Sequence, residues 1–550
     1  MKRSHICALI SIVLLSFVVR SLPFFEHTFW GMDCGEYVYY TRQWVSTGRI
    51  YLARDGWARA YPFFPGMFIL GGTVNFTGIH IFEAVQLGPL ILSSMVPLIV
   101  FLLAKRITHS IKASICSASF LTVLAPFVYN FSQPKPETLG FFLMLFIMLL
   151  SAMLTHENRK LLVLMIAASF ALIVTHHFSS FFLIIFLFGG LFFSVICRKK
   201  ITRADRYRIG FFLFFTTASI AYWFLAAPPF AENRLLNVFG FPSYSILLVP
   251  YLGMALLIIL HRIMAGKSIV PPIDLHNEDL KLFYIYSVIL FVSIVLFIVY
   301  LYHNPIPGRE IQLNELVFYY IPLILLGVVT LGSTKIIWAL RDGAHVIGWM
   351  TFVLLSFTAG VITGSSSFLP MRQLAFVMVP VSLLFGLGLI RLSSMFNPYS
   401  VIKKSVVVML LLAVLFAYNI PLIYPSQEMA QGYDESTDWD EVEGGFWLRR
   451  NLGDKVAADH RLSASLFAVG NRNLTWVEGH DIYFSSDHQE ALDEAHDLYV
   501  RYIMWDEKTL QGVTTKDGHH PYPFNREILG FYRSNYLLYS GDETELYIVP

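Results

Sequence analysis

The sequence predicts an α-helical, polytopic membrane protein with a small extracytoplasmic α/β domain at its C-terminal end. Three observations point there. The 550 residues are 56% hydrophobic and 14% charged, with a mean hydropathy of +0.59, whereas a soluble chain carries about a quarter charged residues. Runs such as Phe141–Met153, Leu161–Thr175 and Phe181–Ile196 are apolar all round instead of striped, which suits lipid and not a water-facing helix. From Tyr424 onward the composition turns polar, rich in Asp, Glu, His and Tyr.

Taken in order, Met1-Lys2-Arg3 leads an apolar run to Val19 with no small-x-small cleavage site before Pro23, which reads as a retained first helix. At about 20 apolar residues per crossing, about thirteen spans are expected, centred near residues 13, 93, 120, 146, 168, 188, 218, 254, 291, 325, 354, 380 and 414. Phe63–Phe76 is apolar but short and glycine-rich, and is expected to lie in the interface or re-enter. With the N-terminus cytoplasmic, the inner loops collect Lys105, Arg106 and Lys112; Arg159 and Lys160; and Arg198, Lys199, Lys200, Arg203, Arg206 and Arg208. The outer loops hold far fewer cations, as the positive-inside rule requires. An odd number of spans then puts the C-terminal segment outside, in a multi-pass protein of the cell membrane.

Two domains follow: residues 1–424, with a long first outer loop over 23–83, and residues 425–550. In the second, helical stretches (Trp439–Leu452, His488–Leu498) alternate with strand-like ones at Lys455–Ala458, Tyr499–Trp505 and Glu545–Val549. The net charge of +2 is too small for a polyanion, so no nucleic-acid partner is expected. Cys7, Cys34, Cys116 and Cys197 form neither a disulfide framework nor a zinc spacing.

The residues able to carry chemistry gather in the outer loops. Asp33 and Glu36 are three apart and would share a helix face; paired carboxylates serve as base and orienter, as metal ligands, or as plain capping acids. Lys135-Pro136-Glu137 opens a helix, where the macrodipole alone would favour the glutamate. His176 and His177 are wedged between two apolar helices, and Arg309 and Glu310 (with Glu315 beyond) lie in the fifth outer loop. Arg372 heads an apolar helix, where it must snorkel or meet an anion; a guanidinium fork matches phosphate oxygens. Acids, bases and His at one face, over basic inner loops, fit a site reached by a lipid-borne substrate.

Gly31-Met32-Asp33-Cys34-Gly35-Glu36-Tyr37-Val38-Tyr39-Tyr40-Thr41-Arg42 resembles the first acidic motif of the GT-C class of membrane glycosyltransferases. The likeness is greatest to oligosaccharyltransferase catalytic subunits and their archaeal relatives, within a superfamily that includes the protein mannosyltransferases. Lys135-Pro136-Glu137 falls where that family has a second acidic motif, Glu310 or Glu315 where it has a further glutamate, and Met371-Arg372-Gln373 where an arginine meets the lipid phosphate. The resemblance implies inverting transfer of a sugar from a polyprenyl phosphate or diphosphate to a protein or glycan acceptor. Asp33 would be the general base, with Glu36 and Glu137 orienting. Lys135, Arg372, Arg42, His176, His177, Arg309 and Glu310 would bind substrate or lipid phosphate. Whether a divalent ion, Mg or Mn, sits on Asp33 and Glu137 stays open, since Lys135 replaces one expected acid. The peptide-reading Trp-Trp-Asp motif survives only as Asp438-Trp439-Asp440, which favours a general lipid-phosphate-sugar transferase over a strictly asparagine-linked one.

Two rivals remain. A transporter or flippase for a lipid-linked saccharide would carry midplane charges and inverted repeats, which are not visible here. A non-enzymatic membrane protein with a ligand-binding ectodomain would need only residues 425–550.

Overall fold

The computed structural model describes residues 2–51, 60–155, 158–197, 202–231, 248–263, 343–363, 370–395, 434–470, 473–475, 480–485, 487–514, 521–522, 526–541 and 544–549, with isolated positions over 333–340 and 406–424. The first part is helical: α1 (Arg3–Ser21), α2 (Pro23–Glu26), a two-residue strand β1 (Phe29–Trp30), α3 (Cys34–Thr47), α4 (Gly66–Asn75), α5 (Ile81–Ser94), α6 (Val96–Thr108), α7 (Ile111–Val123), α8 (Ala125–Ser132) and α9 (Pro136–Met153). There follow α10 (Leu161–Ile173), α11 (His177–Cys197), α12 (Arg203–Leu225), the short turn α13 (Pro228–Phe230), α14 (Val249–Ile263), α15 (Gly343–Thr363) and α16 (Pro370–Met395).

Among the described residues five helical stretches are long and apolar enough to cross a membrane: Arg3–Glu26, Ile81–Thr108, Pro136–Met153, His177–Val195 and Arg203–Leu225. Shorter apolar helices occupy Ile111–Val123, Leu161–Ile173, Val249–Ile263, Gly343–Thr358 and Ala375–Arg391. The chain is therefore a multi-pass membrane protein. The spans expected near 291, 325 and 414 lie outside the described residues, isolated positions apart. Helix α4 has 10 residues, about 15 Å of helix, and is too short to span; it buries Met67, Phe68, Gly71 and Gly72.

Glycines bring the helices together. Gly189 of α11 and Gly348 of α15 meet backbone to backbone, and a methyl on Gly386 of α16 would strike the Ala113 and Ser117 turn of α7. Such contacts let dispersion act over whole helix faces, which is what holds helices together where the solvent is itself apolar. Phe376 fills the centre of the bundle, stacked on Phe182 at 4.3 Å and edge-on to Phe141 at 5.2 Å.

The C-terminal part contains a five-stranded sheet. It comprises β2 (Ser436–Thr437), α17 (Trp439–Asn451), β3 (Lys455–Ala457), α18 (His460–Ala468), β4 (Leu474–Thr475), α19 (His480–Phe484), α20 (His488–Asp497), β5 (Val500–Asp506), α21 (Glu507–Gln511), β6 (Val513–Thr514), β7 (Pro521–Tyr522), α22 (Arg526–Asn535), β8 (Leu537–Ser540) and β9 (Thr544–Ile548). The sheet order is β4-β3-β5-β9-β8, parallel across β4, β3 and β5 and antiparallel across β5, β9 and β8. β2 stands apart, pairing antiparallel with β1 some four hundred residues earlier, Phe29 opposite Thr437 and Trp30 opposite Ser436.

That pairing lies beside a shared core. Phe29, Cys34, Tyr37, Tyr40, Phe68 and Phe82 of the first loop are buried together with Val442, Phe467, Ala468 and Val469 of the C-terminal part. The two regions thus bury one apolar surface jointly, which fixes the C-terminal sheet domain on the loop that carries Asp33.

Candidate functional site

Asp33 is the N-cap of α3. Gly31, at φ +113°, turns the chain into it, a backbone setting that favours glycine. The Asp33 carboxylate lies against His460 Nε2, 3.2 Å from Oδ1. Its Oδ2 accepts hydrogen bonds from the hydroxyls of Tyr37 at 3.3 Å and Tyr61 at 3.4 Å. The two tyrosine rings cross edge to face at 5.5 Å. Glu36, one turn into α3, is buried at 4% exposure.

The other loops close around this point. Trp30 Nε1 donates to Ser132 Oγ at 3.0 Å, and a side chain on Gly31 would meet Gln133 at 3.4 Å. The second loop turns on Gln133-Pro134, Lys135 caps α9 and Pro136 occupies its first turn. Thr138 Oγ1 ties that turn back to the Gln133 carbonyl at 2.7 Å. Glu137 is buried in the first turn of α9. One turn on, a methyl at Gly140 would come within 2.7 Å of His176 Cβ, so the third loop packs against the head of α9. The first and third loops also meet directly, through Gly66 N donating to the Val174 carbonyl at 3.2 Å. His176 Nδ1 accepts from the Ser179 backbone N–H at 3.2 Å, which caps α11. His177 lies among Phe230 at 4.3 Å and Phe64 at 5.2 Å.

The C-terminal domain closes the other side. A methyl on Gly35 would drive into the Ala464 carbonyl, so α18 crosses α3 at backbone contact. Arg42 Nη1 donates to the Ala468 carbonyl at 2.9 Å, with its guanidinium 5.7 Å from the Phe82 ring centre. Burial and the charge of Arg449 lower its pKa. Gln133 Nε2 donates to the Glu435 carboxylate, and Gly31 N to the Glu435 carbonyl at 3.0 Å.

A chain of charges sets the seat of α18. His27 Nδ1 meets Asp438 Oδ1 at 2.7 Å, and Lys508 Nζ reaches Asp438 Oδ2 at 2.5 Å and Glu441 Oε1 at 3.1 Å. The buried Arg461 guanidinium binds Glu441 Oε2 at 2.6 Å, the Ser436 carbonyl at 3.0 Å and the Asp506 carboxylate. Burial opposes ionisation of Asp438, but hydrogen bonds and charge from His27 and Lys508 outweigh it and hold the carboxyl at about 2. Burial lifts Glu441 to about 8 against the pull of Arg461, with Asp506 adding to the lift. Burial acts the same way on Asp506, but Arg461 and Thr509 hold it well below the usual carboxylate range. Of the two carboxyls that face Arg461, burial thus raises Glu441 and Arg461 lowers Asp506, so Asp506 is the more readily ionised.

Asp33, Glu36, Lys135, Glu137 and His176 thus belong to three loops that touch one another. Arg42 is turned to the C-terminal domain instead, and His177 to an aromatic cluster. Arg372 is in the first turn of α16, one turn before Phe376, which packs 5.8 Å from Phe178 and 5.2 Å from Phe141. That turn therefore stands beside the heads of α9 and α11, although the Arg372 side chain is not among the described residues. Arg309, Glu310 and Glu315 lie outside them altogether. Among the described residues no three His, Cys, Asp or Glu side chains gather closely enough to hold a metal ion. A cleft of about 360 Å³ opens beside the junction, lined by Phe25, Glu26, His27, Thr28, Asp438, Trp439 and Asp440.

His460 was not among the expected residues, because residues 458–468 were not read as a helix. The signal was there: Asp459 is an N-cap whose side chain accepts from Leu462 N at 2.8 Å, and Leu462 and Leu466 follow at helical spacing.

By sequence the chain matches no family model and no curated protein. By structure it shares a fold with the archaeal oligosaccharyltransferase AglB from Archaeoglobus fulgidus, solved in complex with an inhibitory peptide and a dolichol-phosphate. There the TM-score is 0.61 at 14% identity, covering 92% of this chain and 69% of that one. The Archaeoglobus fulgidus enzyme tethered with an acceptor peptide containing the NVT sequon gives 0.61 and 14%, covering 100% and 74%. The arabinofuranosyltransferase AftD from Mycobacteria gives 0.52 at 10% identity, covering 100% of this chain and 40% of that one. The chain thus shares the fold of these solved membrane proteins.

Proposed function

We propose that this protein is an inverting glycosyltransferase that moves a sugar from a polyprenyl phosphate or diphosphate to a protein or glycan acceptor at the extracytoplasmic membrane surface. The observation that carries it is the Asp33 carboxylate, held by named partners where three loops and the C-terminal domain meet, in a fold shared with enzymes of this kind. The concentration of Lys and Arg in the alternate loops supports an orientation with the N-terminus cytoplasmic and residues 425–550 outside.

Asp33 takes the proton of the acceptor hydroxyl as its oxygen bonds to the anomeric carbon; the bond from that carbon to the phosphate breaks, and its electron pair leaves with the phosphate. A phosphate leaving group needs no proton donor, so a single carboxylate base suffices. Lys135 and Arg372 neutralise the departing phosphate, a role worth several kcal/mol in a site shielded from water. Glu36 and Glu137, both buried, orient Asp33 or the acceptor. No step is routed through a metal ion.

Replacing Asp33 by Asn keeps the shape and removes the base. The expected outcome is a folded protein whose transfer from polyprenyl-phosphate sugars drops at least about 100-fold, measured with purified protein and radiolabelled donors. Wild-type rates in that variant would exclude Asp33 as the base.

A further inference from the structure

The Asp33 carboxylate is met by a side chain from the opposite end of the sequence. Resting on the reading of Asp33 as the base, we propose that His460 is its positioning residue: Nε2–H donates to Oδ1, which presents Oδ2, on the Tyr37 and Tyr61 side, to the acceptor hydroxyl.

The two carboxylate oxygens have different company. Oδ1 faces the imidazole nitrogen at 3.2 Å, and the His460 side chain is only 15% exposed. Oδ2 accepts from hydroxyls at 3.3 and 3.4 Å, long for O–H···O bonds, which centre near 2.7–2.8 Å. Long bonds are weak, and an acceptor hydroxyl can replace a tyrosine hydroxyl like for like. A bond to a fixed imidazole cannot be exchanged that way.

His460 is fixed from several directions. It opens α18, whose N-cap Asp459 is bound to Leu462 N. The next residue, Arg461, is clamped by Glu441, Asp506 and the Ser436 carbonyl. The helix itself is pressed against Gly35, two residues beyond Asp33. Docking of the domain is already provided by β1–β2, by Arg42 on Ala468 and by the shared core. A single partly exposed contact of this kind adds little to that, so what the Asp33–His460 contact supplies is orientation. During transfer the acceptor proton goes to Oδ2, while His460 keeps its own proton throughout.

The test uses the full-length protein in lipid nanodiscs, polyprenyl phosphates bearing a pentose or a hexose as donors, and a mixed oligosaccharide acceptor. Misplacing a base by an ångström costs about 100-fold, so H460A should lower kcat by roughly that factor with donor KM within about threefold. H460Q, which retains an N–H donor, should recover kcat to within about tenfold of wild type, and both variants should melt near the wild-type temperature. Wild-type kcat in H460A, or H460Q as poor as H460A, overturns the proposal. A second measurement needs no substrate. In protein labelled with [15N]histidine, the resonance missing from H460Q should move in D33N; an unmoved resonance also overturns the proposal. Absence of transfer by wild type, or equal transfer by D33N, would instead count against Asp33 as the base, while the resonance still decides the pairing.

Discussion

Asp438 joins the two parts of the molecule, bound on one oxygen by His27 and on the other by Lys508. Its pKa of about 2 against an ordinary 3.8 makes it a carboxylate that stabilises the fold only when ionised. A depressed pKa gives stability that is complete above the unfolded value and disappears as pH falls through the folded one. The expected loss between about pH 4 and pH 2 is on the order of 1–2 kcal/mol, discounted for partial exposure. Thermal unfolding followed across that range should show it, and D438N should flatten the dependence and be the less stable protein at pH 5. A D438N curve that tracks wild type throughout would mean the pair is not formed in solution. At this scale the sequence was only half legible. Asp33 stands out as a candidate because it lies three residues before Glu36 in a tyrosine-rich outer loop. His460 does not, because its meaning comes from a partner 427 positions away, and no local pattern reports such a distance.

Helix α3 follows directly on Asp33 and crosses α18 at Gly35. Where backbone touches backbone, one added methyl cannot be absorbed by a side-chain rotation, and overpacking of this kind costs about 1–3 kcal/mol. Gly35→Ala is therefore expected to lower the melting temperature and to reduce transfer by lifting His460 from Asp33. Wild-type melting in that variant would show that the crossing is looser than described. Elements with strong local signals were legible in advance. The helices expected at Trp439–Leu452 and His488–Leu498 run from Trp439 to Asn451 and from His488 to Asp497, and the strands expected at Lys455–Ala458 and Glu545–Val549 occupy Lys455–Ala457 and Thr544–Ile548. Both helices follow an aspartate at the N-cap, and the strands are short runs dominated by apolar residues. β1 and β2, two residues each, were invisible, since so short a strand exists only through its pairing.

At the largest scale, the described residues form apolar helices and a C-terminal sheet domain that shares a core with the first loop. Phe29, Tyr37, Tyr40 and Phe68 are buried partly by Phe467 and Val469, and uncovering a large side chain costs about 1.5–3 kcal/mol. A chain ending before residue 434 should therefore melt lower than the full protein and transfer no sugar, as measured by thermal unfolding and by the donor assay. Unchanged melting would show that the first loop folds by itself. The apolar runs make the membrane class legible, because they follow from local composition; the docking of the two parts is not legible, because it depends on shape. The pairing of Trp30 with Ser436 also bears on synthesis. Asp33 leaves the ribosome early, but the residues that seat it arrive more than four hundred residues later. A nascent or truncated chain would hold an unassembled centre, so the proposed transfer would begin only after translation had passed the helix bearing His460.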